Sequence, residues 1–169
     1  MTFIQEAELK EIISNYTNKL QESEIKGQAE DFYRHIKPYI QDNLKKHYFS
    51  GSFAKGTNIS LGSDCDIFLS YSSSYDGRLD DLYNYVYSGI EQAIDGYNSS
   101  SIRKKNVSIG IDFNGLSIDI IPAKRQSQHG GDHSLFSTKR NSWIKTNVVK
   151  HINYVKNSRR IKEIKLAKI

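Results

Sequence analysis

Two aspartates lie in a segment that otherwise has the pattern of a buried strand. They are Asp64 and Asp66, in the run DCDIFLSY. Because strand side chains alternate between faces, both carboxylates point to the same face, roughly 7 Å apart at about 3.4 Å per residue. A carboxylate in a core costs several kcal/mol unless a cation pairs with it. The pair therefore predicts a bound cation, either a metal ion such as Mg²⁺ or a lysine.

A glycine-serine pair precedes these acids at the end of another apolar run, HYFSGSF. Gly51 lets the backbone approach a phosphate and Ser52 offers a hydroxyl, while a following short helix would add free N–H groups. Eleven residues separate Ser52 from Asp64, which is enough for one helical turn and a return into an adjacent strand. A Gly-Ser pair alone is only a turn, but this spacing predicts a phosphate-binding turn beside the two carboxylates.

A third acid, Asp119, lies in the apolar run LSIDIIPA, and Asp112 in the neighbouring run VSIGIDF is the alternative. A single strand aspartate is usually partly exposed or salt-bridged, but three acids near a phosphate-binding turn indicate more. Three converging carboxylates can hold two Mg²⁺ (or Mn²⁺) ions about 3.5–4 Å apart, the geometry of in-line nucleotidyl transfer. One ion would activate an attacking hydroxyl, and the other would hold the triphosphate and stabilise the leaving pyrophosphate.

The composition is that of one globular domain. The chain has 169 residues, of which 37% are hydrophobic and 25% charged, and its net charge of +5 favours a polyanionic partner such as nucleotide phosphates or nucleic acid. Cys65 is the only cysteine, which excludes an intrachain disulfide and a cysteine-based zinc cluster. The first residues lack a basic and apolar leader, and no 18-residue apolar run occurs. These features predict a cytoplasmic protein with no membrane partner.

Helical and strand periods divide the chain. Apolar residues recur at helical spacing through residues 1–47, where Pro38 is expected to kink a helix or begin a new one, and again over about 78–94. Asn114-Gly115 separates two β-type runs and predicts a hairpin. Residues 143–169 have helical character. We expect an α/β (α+β) domain: a mixed, twisted sheet of four to five strands flanked by helices, with a long N-terminal helix across its back.

The segment 124–142 is polar and predicts an irregular loop. Three of its residues, His129, Asp132 and His133, are of types that bind metals. Polar loops contain such residues routinely, so the loop interpretation is the one we favour.

The motifs together resemble the signature of the polymerase β-type nucleotidyltransferase superfamily. The resemblance rests on Gly51-Ser52, the following Lys55 and Gly56, Asp64-Cys65-Asp66, and Asp119 before IIPA. The leading helix, the run GSFAKGT and the later WIKTN segment resemble one branch in particular. That branch contains the cGAS/DncV-like bacterial nucleotidyltransferases (CD-NTases), the oligoadenylate synthetases and the archaeal-type CCA-adding enzymes.

The resemblance implies a role for each motif residue. Gly51 and Ser52 would grip the β- and γ-phosphates of the donor nucleotide. Asp64, Asp66 and Asp119 would be the catalytic metal ligands, with Asp119 completing the site of the ion that activates the acceptor hydroxyl. Two lysines, Lys55 and Lys165, would contact the nucleotide, although a solvated basic face with Lys162 and Lys168 is the alternative for Lys165.

The resemblance also implies a function. The chain would be a metal-dependent nucleotidyltransferase that uses ATP and/or GTP and synthesises a cyclic or linear oligonucleotide second messenger in antiphage defence. An RNA or a protein would be a further partner, as acceptor or activator. The open alternatives are CCA-type addition to RNA, AMP transfer to a partner protein, and a non-catalytic nucleotide- or RNA-binding module. We expect residues 1–145 to form the core and 146–169 to begin a C-terminal helical region that is truncated here.

Overall fold

A mixed β-sheet forms the centre of the domain. The computed structural model describes residues 6–15, 19–59, 64–97 and 100–168. Within them the sheet has seven strands: β1 (Leu44–Phe49), β2 (Cys65–Tyr71), β3 (Ser100–Lys104), β4 (Ile109–Phe113), β5 (Leu116–Arg125), β6 (His133–Ser137) and β7 (Ser142–Thr146). The main order is β1-β2-β5-β4-β3, and β6 joins β5 to β7. Only the β2–β5 pairing among these is parallel. The predicted mixed sheet is confirmed, with seven strands instead of four or five.

Helices flank this sheet as expected. They are α1 (Glu6–Asn15), α2 (Lys19–Ile40), α3 (Gly51–Lys55), α4 (Leu79–Ala93), α5 (Val148–Asn157) and α6 (Ile161–Leu166). Pro38 lies inside α2, which ends two residues later at Ile40, so the helical prediction for residues 1–47 extended too far. Within the described ranges, none of the helices combines the length and the apolar composition that crossing a membrane requires.

The larger core lies between one face of the sheet and the helices α2 and α4. Ile36 and Ile40 of α2, Leu82 and Ile90 of α4, and Ile67 of β2 are all buried there. Fully burying one such side chain stabilises the fold by about 1.5–3 kcal/mol. This core fixes β2 at the middle of the domain, and β2 carries the predicted acids.

A close approach between the two long helices depends on a glycine. A Cβ at Gly89 of α4 would stand 2.6 Å from the carbonyl oxygen of Tyr39 in α2. The hydroxyl of Tyr71 in turn donates a hydrogen bond of 2.8 Å to the carbonyl of Ile40. The C-terminal end of α2 is thereby held against both α4 and β2.

The opposite face of the sheet carries a smaller cluster, formed by Phe68, Ala123, Leu135 and Val148. Phe68 follows Asp66 by two positions, so the two side chains share this face. The cluster is covered by the β6–β7 hairpin and α5, whose residues Leu135 and Val148 belong to it. The predicted acids therefore lie at the end of a face whose remainder is packed.

The Asn114-Gly115 hairpin is confirmed. Both residues have positive φ, 50° and 82°, as a two-residue turn of this type requires. The turn joins β4 to β5 and sets their register, in which Gly110 stands opposite Asp119.

The predicted irregular loop over 124–142 is wrong, because this segment contributes to three strands. It holds the end of β5, all of β6 and the first residue of β7. The inward positions of β6 are His133, Leu135 and Ser137, and two of these three are polar, which hid the alternation. The helix expected from residue 143 begins only at Val148, after Asn147 accepts the backbone N–H of Lys150 as a helix cap.

Candidate active site

The three predicted aspartates come together at the β2–β5 pair. Asp66 and Asp119 are register partners on these adjacent parallel strands, and Asp64 immediately precedes β2. Parallel pairing at the same register brings the two strand carboxylates to the same face. The side chain of Asp119 is 14% exposed and that of Asp64 is 42% exposed, so the group runs from the interior to the surface.

The glycine turn is pressed directly against one of these carboxylates. The N–H of Ser50 donates to the carbonyl of Asp66 at 2.8 Å, and Gly51 follows with φ of 57°. A Cβ at Gly51 would lie 1.7 Å from Oδ2 of Asp66, so no other residue fits without moving the acid. Ser52 is half-buried in the short helix α3 that starts here. The predicted phosphate-binding turn and the acids therefore form one unit.

Ser50 adds a further polar group that the sequence did not single out. Its hydroxyl is buried and has no hydrogen-bond partner among the described residues. Buried polar groups in proteins are nearly always bonded, so an unpartnered hydroxyl beside the glycine turn suits a ligand oxygen.

Burial and the neighbouring acids together raise the pKa of Asp66. Burial, together with the neighbouring charges of Asp119 and Asp64, raises the pKa of Asp66 to about 6. Lys55 and Lys105 oppose this rise only partly. A carboxyl in this position favours any added positive charge.

Lys105 supplies part of that charge, and no sequence motif pointed to it. Its Nζ lies 2.6 Å from Oδ1 of Asp119 and 3.3 Å from Oδ2 of Asp64. Ser108 donates its hydroxyl to the other oxygen of Asp119 at 3.2 Å. Burial alone would lower the pKa of Lys105, but the bonds to the two carboxylates outweigh it and raise the pKa. The lysine named in the opening alternative is therefore present at these acids.

The donor set fits a hard divalent cation. Mg²⁺ and Mn²⁺ bind carboxylate oxygens, and Asp64, Asp66 and Asp119 provide them on one face. As the side chains stand, no three acidic, histidine or cysteine groups in the described part of the chain are arranged to hold a metal ion. Lys105 is bonded to one carboxylate oxygen of Asp119 and one of Asp64. Its ammonium therefore lies beside the oxygens that a metal ion at these acids would use.

A group of lysines lies on the glycine-turn side of the acids. Lys168 donates from Nζ to the carbonyl of Thr57 at 2.8 Å, which ties the end of the described chain to the segment after α3. Burial, and then the positive charges of Lys55 and Lys165, lower the pKa of Lys168, while Asp66 opposes the effect. Of the two predicted lysines, Lys55 acts on Asp66 and Lys165 acts on Lys168, which was predicted only as a neighbour of Lys165.

Asp112, the alternative third acid, is not part of this group. It is the register partner of Ser117, is half-exposed and forms an ion pair with Arg103. The Arg103 guanidinium holds the pKa of Asp112 below its ordinary value.

The metal-binding alternative for His129, Asp132 and His133 is wrong. His133 is buried, with Nε2 2.8 Å from the hydroxyl of Ser70 and Nδ1 3.0 Å from a backbone carbonyl. Asp132 instead pairs with Lys145 at 2.8 Å. His133 lies inward on β6 while Asp132 precedes the strand, so neighbours in sequence have separate structural tasks.

The site lies in a segment of the chain that matches a known protein family. The profile of SMODS, the Second Messenger Oligonucleotide or Dinucleotide Synthetase domain, matches residues 3–158. The chain belongs to the SMODS family. The match includes the glycine turn and all three aspartates, and it confirms the resemblance to the CD-NTase branch of the polymerase β-type superfamily.

Relatives of this SMODS chain are longer. The cyclic AMP-AMP-AMP synthase of Escherichia coli (strain MS 115-1) is 25% identical over 150 residues, which are 84% of this chain and 46% of the relative. The structure of E. coli MS115-1 CdnC in complex with HORMA-deltaN matches with a TM-score of 0.67 and 23% identity, covering 90% of this chain and 51% of CdnC. The CD-NTase CdnG of Bradyrhizobium diazoefficiens, in complex with GTP, matches with a TM-score of 0.68 and 16% identity, covering 88% and 45%. This SMODS chain therefore has the CD-NTase fold and spans about half the length of these relatives.

Proposed function

We propose that this SMODS chain carries the catalytic core of a metal-dependent nucleotidyltransferase that joins nucleoside triphosphates into an oligonucleotide second messenger. One observation carries the proposal: Asp66 and Asp119 are partners on adjacent parallel strands, with Gly51 in contact with Asp66. A half-buried acid pair beside a backbone turn that accepts only glycine has no evident structural use, because both features cost stability.

Each part of the site has a task in this reaction. Two divalent ions, when bound, would activate the attacking hydroxyl and neutralise the triphosphate. Asp64, Asp66 and Asp119 would hold these ions, and the glycine turn at Gly51 and Ser52 would receive the β- and γ-phosphates. The hydroxyl oxygen of one nucleotide bonds to the α-phosphorus of another, the bond to the bridging oxygen breaks, pyrophosphate leaves, and the hydroxyl proton passes to water.

The lysines near the turn complete the binding of the triphosphate. Lys55, Lys165 and Lys168 are coupled to one another or to Asp66 electrostatically, and together they offset the charge of a polyphosphate. Lys165 lies in α6 and Lys168 directly follows that helix, so the helical region from residue 146 onward takes part in binding. Residues 1–145 would then form the core, and residues 146–169 would belong to the helical region that closes over the nucleotide.

ATP and/or GTP are the substrates we propose. The E. coli relative is named as a cyclic AMP-AMP-AMP synthase, and the CdnG structure contains GTP. A cyclic or linear product acting in antiphage defence is the role we infer for this chain. A protein partner is a further element of the proposal, since the CdnC relative was solved in complex with HORMA-deltaN.

The test is product formation from radiolabelled ATP, GTP, CTP and UTP with Mg²⁺ or Mn²⁺, using protein in excess and long incubations. We expect a phosphatase-resistant product and pyrophosphate release from the wild type and from Asp112→Asn, whose carboxylate lies outside the site. Asp66→Asn should give neither. An equal yield from Asp66→Asn would contradict the assignment, as would the absence of any ATP- or GTP-dependent thermal stabilisation of the wild type.

A further inference from the structure

We propose that Lys105 is a built-in counter-cation of the acidic site, which holds Asp64 and Asp119 until a divalent ion displaces it and thereby sets the metal affinity. The proposal rests on the proposed function, because it concerns the same three carboxylates. It assigns Lys105 a positioning role, because the lysine contacts the carboxylates and the carboxylates, in turn, would bind the ions.

The backbone of Lys105 is fixed at three points. Its carbonyl accepts hydrogen bonds from the hydroxyls of Tyr83 and Thr138, both at 3.1 Å. Its N–H donates to the carbonyl of Ser108 at 2.9 Å. Tyr83 is buried in α4, so the connection between β3 and β4 is tied to the core on one side and to the segment after β6 on the other. The position of this lysine is therefore set by the fold.

The fold also leaves space for the Lys105 side chain to reach the acids. Gly110 stands opposite Asp119 in the β4–β5 pairing. A Cβ at Gly110 would lie 2.7 Å from Cε of Lys105, which is too close for carbon atoms. The glycine thus leaves room for the lysine stem to pass over β4 to the acids. A lysine that met the carboxylates by chance at the surface would need no such gap.

Lysine and metal compete for the same atoms. The ammonium bonds Oδ1 of Asp119 and Oδ2 of Asp64, and a divalent ion held by these residues needs carboxylate oxygens in the same place. Two cations this close would also repel each other. The Lys105 side chain is 30% exposed, so its end can swing out to solvent. Removing the charge should therefore strengthen metal binding and weaken the metal-free fold.

The experiment measures Mn²⁺ affinity without nucleotide, by the electron paramagnetic resonance signal of free Mn²⁺. The proteins are the wild type, Lys105→Met, and Lys104→Met as the matched control, because Lys104 contacts Asn84 and the Tyr87 ring instead of the acids. We expect Lys105→Met to bind Mn²⁺ about tenfold more tightly, which is the lower end of what a charged hydrogen bond contributes. Lys104→Met should match the wild type. In EDTA, Lys105→Met should melt at a lower temperature than Lys104→Met.

A second variant keeps the lysine but blocks its path. Gly110→Ala should also tighten Mn²⁺ binding, by displacing the stem of Lys105. Equal or weaker binding by Lys105→Met than by the wild type would overturn the counter-cation role while leaving the metal site intact. Absence of Mn²⁺ binding in every protein, including the wild type, would instead overturn the metal site of the proposed function, and with it this proposal.

Discussion

Replacing Asp66 with asparagine should stabilise the metal-free protein while removing its proposed chemistry. Burial and the charges of Asp119 and Asp64 raise the pKa of Asp66 above its ordinary value of 3.8, to about 6. The folded state therefore binds a proton more tightly than the unfolded state does. Above pH 6 the carboxyl is ionised in both states, and the folded state bears the cost of that charge. Asparagine has nearly the same shape and carries no charge.

The size of the effect follows from the two pKa values. A rise from 3.8 to about 6 corresponds to about 3 kcal/mol, at 1.36 kcal/mol for each pKa unit. For a domain of this size, 1 kcal/mol moves the thermal midpoint by about 2–4 °C. The midpoint of Asp66→Asn should therefore exceed that of the wild type by about 6–12 °C at pH 8 in EDTA.

The assay is thermal unfolding in EDTA across pH 4.5 to 8. The advantage of Asp66→Asn should be greatest at pH 8, shrink as the pH falls through 6, and approach zero near the ordinary pKa of 3.8. Asp112→Asn is the control with the opposite sign, because Arg103 lowers the pKa of Asp112 and the variant loses that ion pair. If Asp66→Asn were no more stable than the wild type at pH 8, or if its advantage did not depend on pH, the inferred cost of the Asp66 charge, from burial and from the neighbouring acids, would be refuted.

Three further changes test other contacts. In urea titrations, Gly51→Ala should lower the free energy of unfolding by at least about 1 kcal/mol more than Gly56→Ala does, because both glycines have positive φ but only Gly51 would gain a clash with a carboxylate. Equal losses of stability in the two variants would refute that contact. Burial lowers the pKa of His133, so the unfolded state binds more protons and wild-type stability should fall as the pH drops from 7 to 5.5. His133→Gln should reduce this pH dependence of stability, and an unchanged slope would contradict the role of His133. Lys168→Met should need about tenfold more ATP than the wild type for the same thermal stabilisation, whereas the exposed Lys139→Met should need no more than the wild type. Equal ATP requirements of the two variants would remove Lys168 from the site.

The acids could be predicted from the sequence because their signals are local. Two aspartates at alternate positions of an apolar run place charges where a buried strand normally has apolar side chains, and this mismatch can be seen in the sequence alone. The distance from Ser52 to Asp64 allows only a short helix and a return, which is what α3 and β2 form. Asn114-Gly115 set the register of β5, and thereby the place of Asp119.

The remaining parts depend on contacts distant in sequence or on polar groups that are buried. Lys105 meets acids that are 14 and 41 positions away, and no local period links them. Strand β6 was missed because His133 and Ser137 occupy inward positions where an apolar residue is expected. His133 is tolerated there because Ser70 and a backbone carbonyl satisfy both ring nitrogens, a pairing that only the fold reveals.

The most direct test of the central claim is a crystal structure with Mn²⁺ and a non-hydrolysable ATP analogue, read by anomalous diffraction. We predict two peaks about 3.5–4 Å apart, bounded by Asp64, Asp66 and Asp119, with the triphosphate at Gly51 and the Lys105 ammonium withdrawn. Bound nucleotide with no peak at these carboxylates, and Lys105 still bonded to Asp119, would contradict the account.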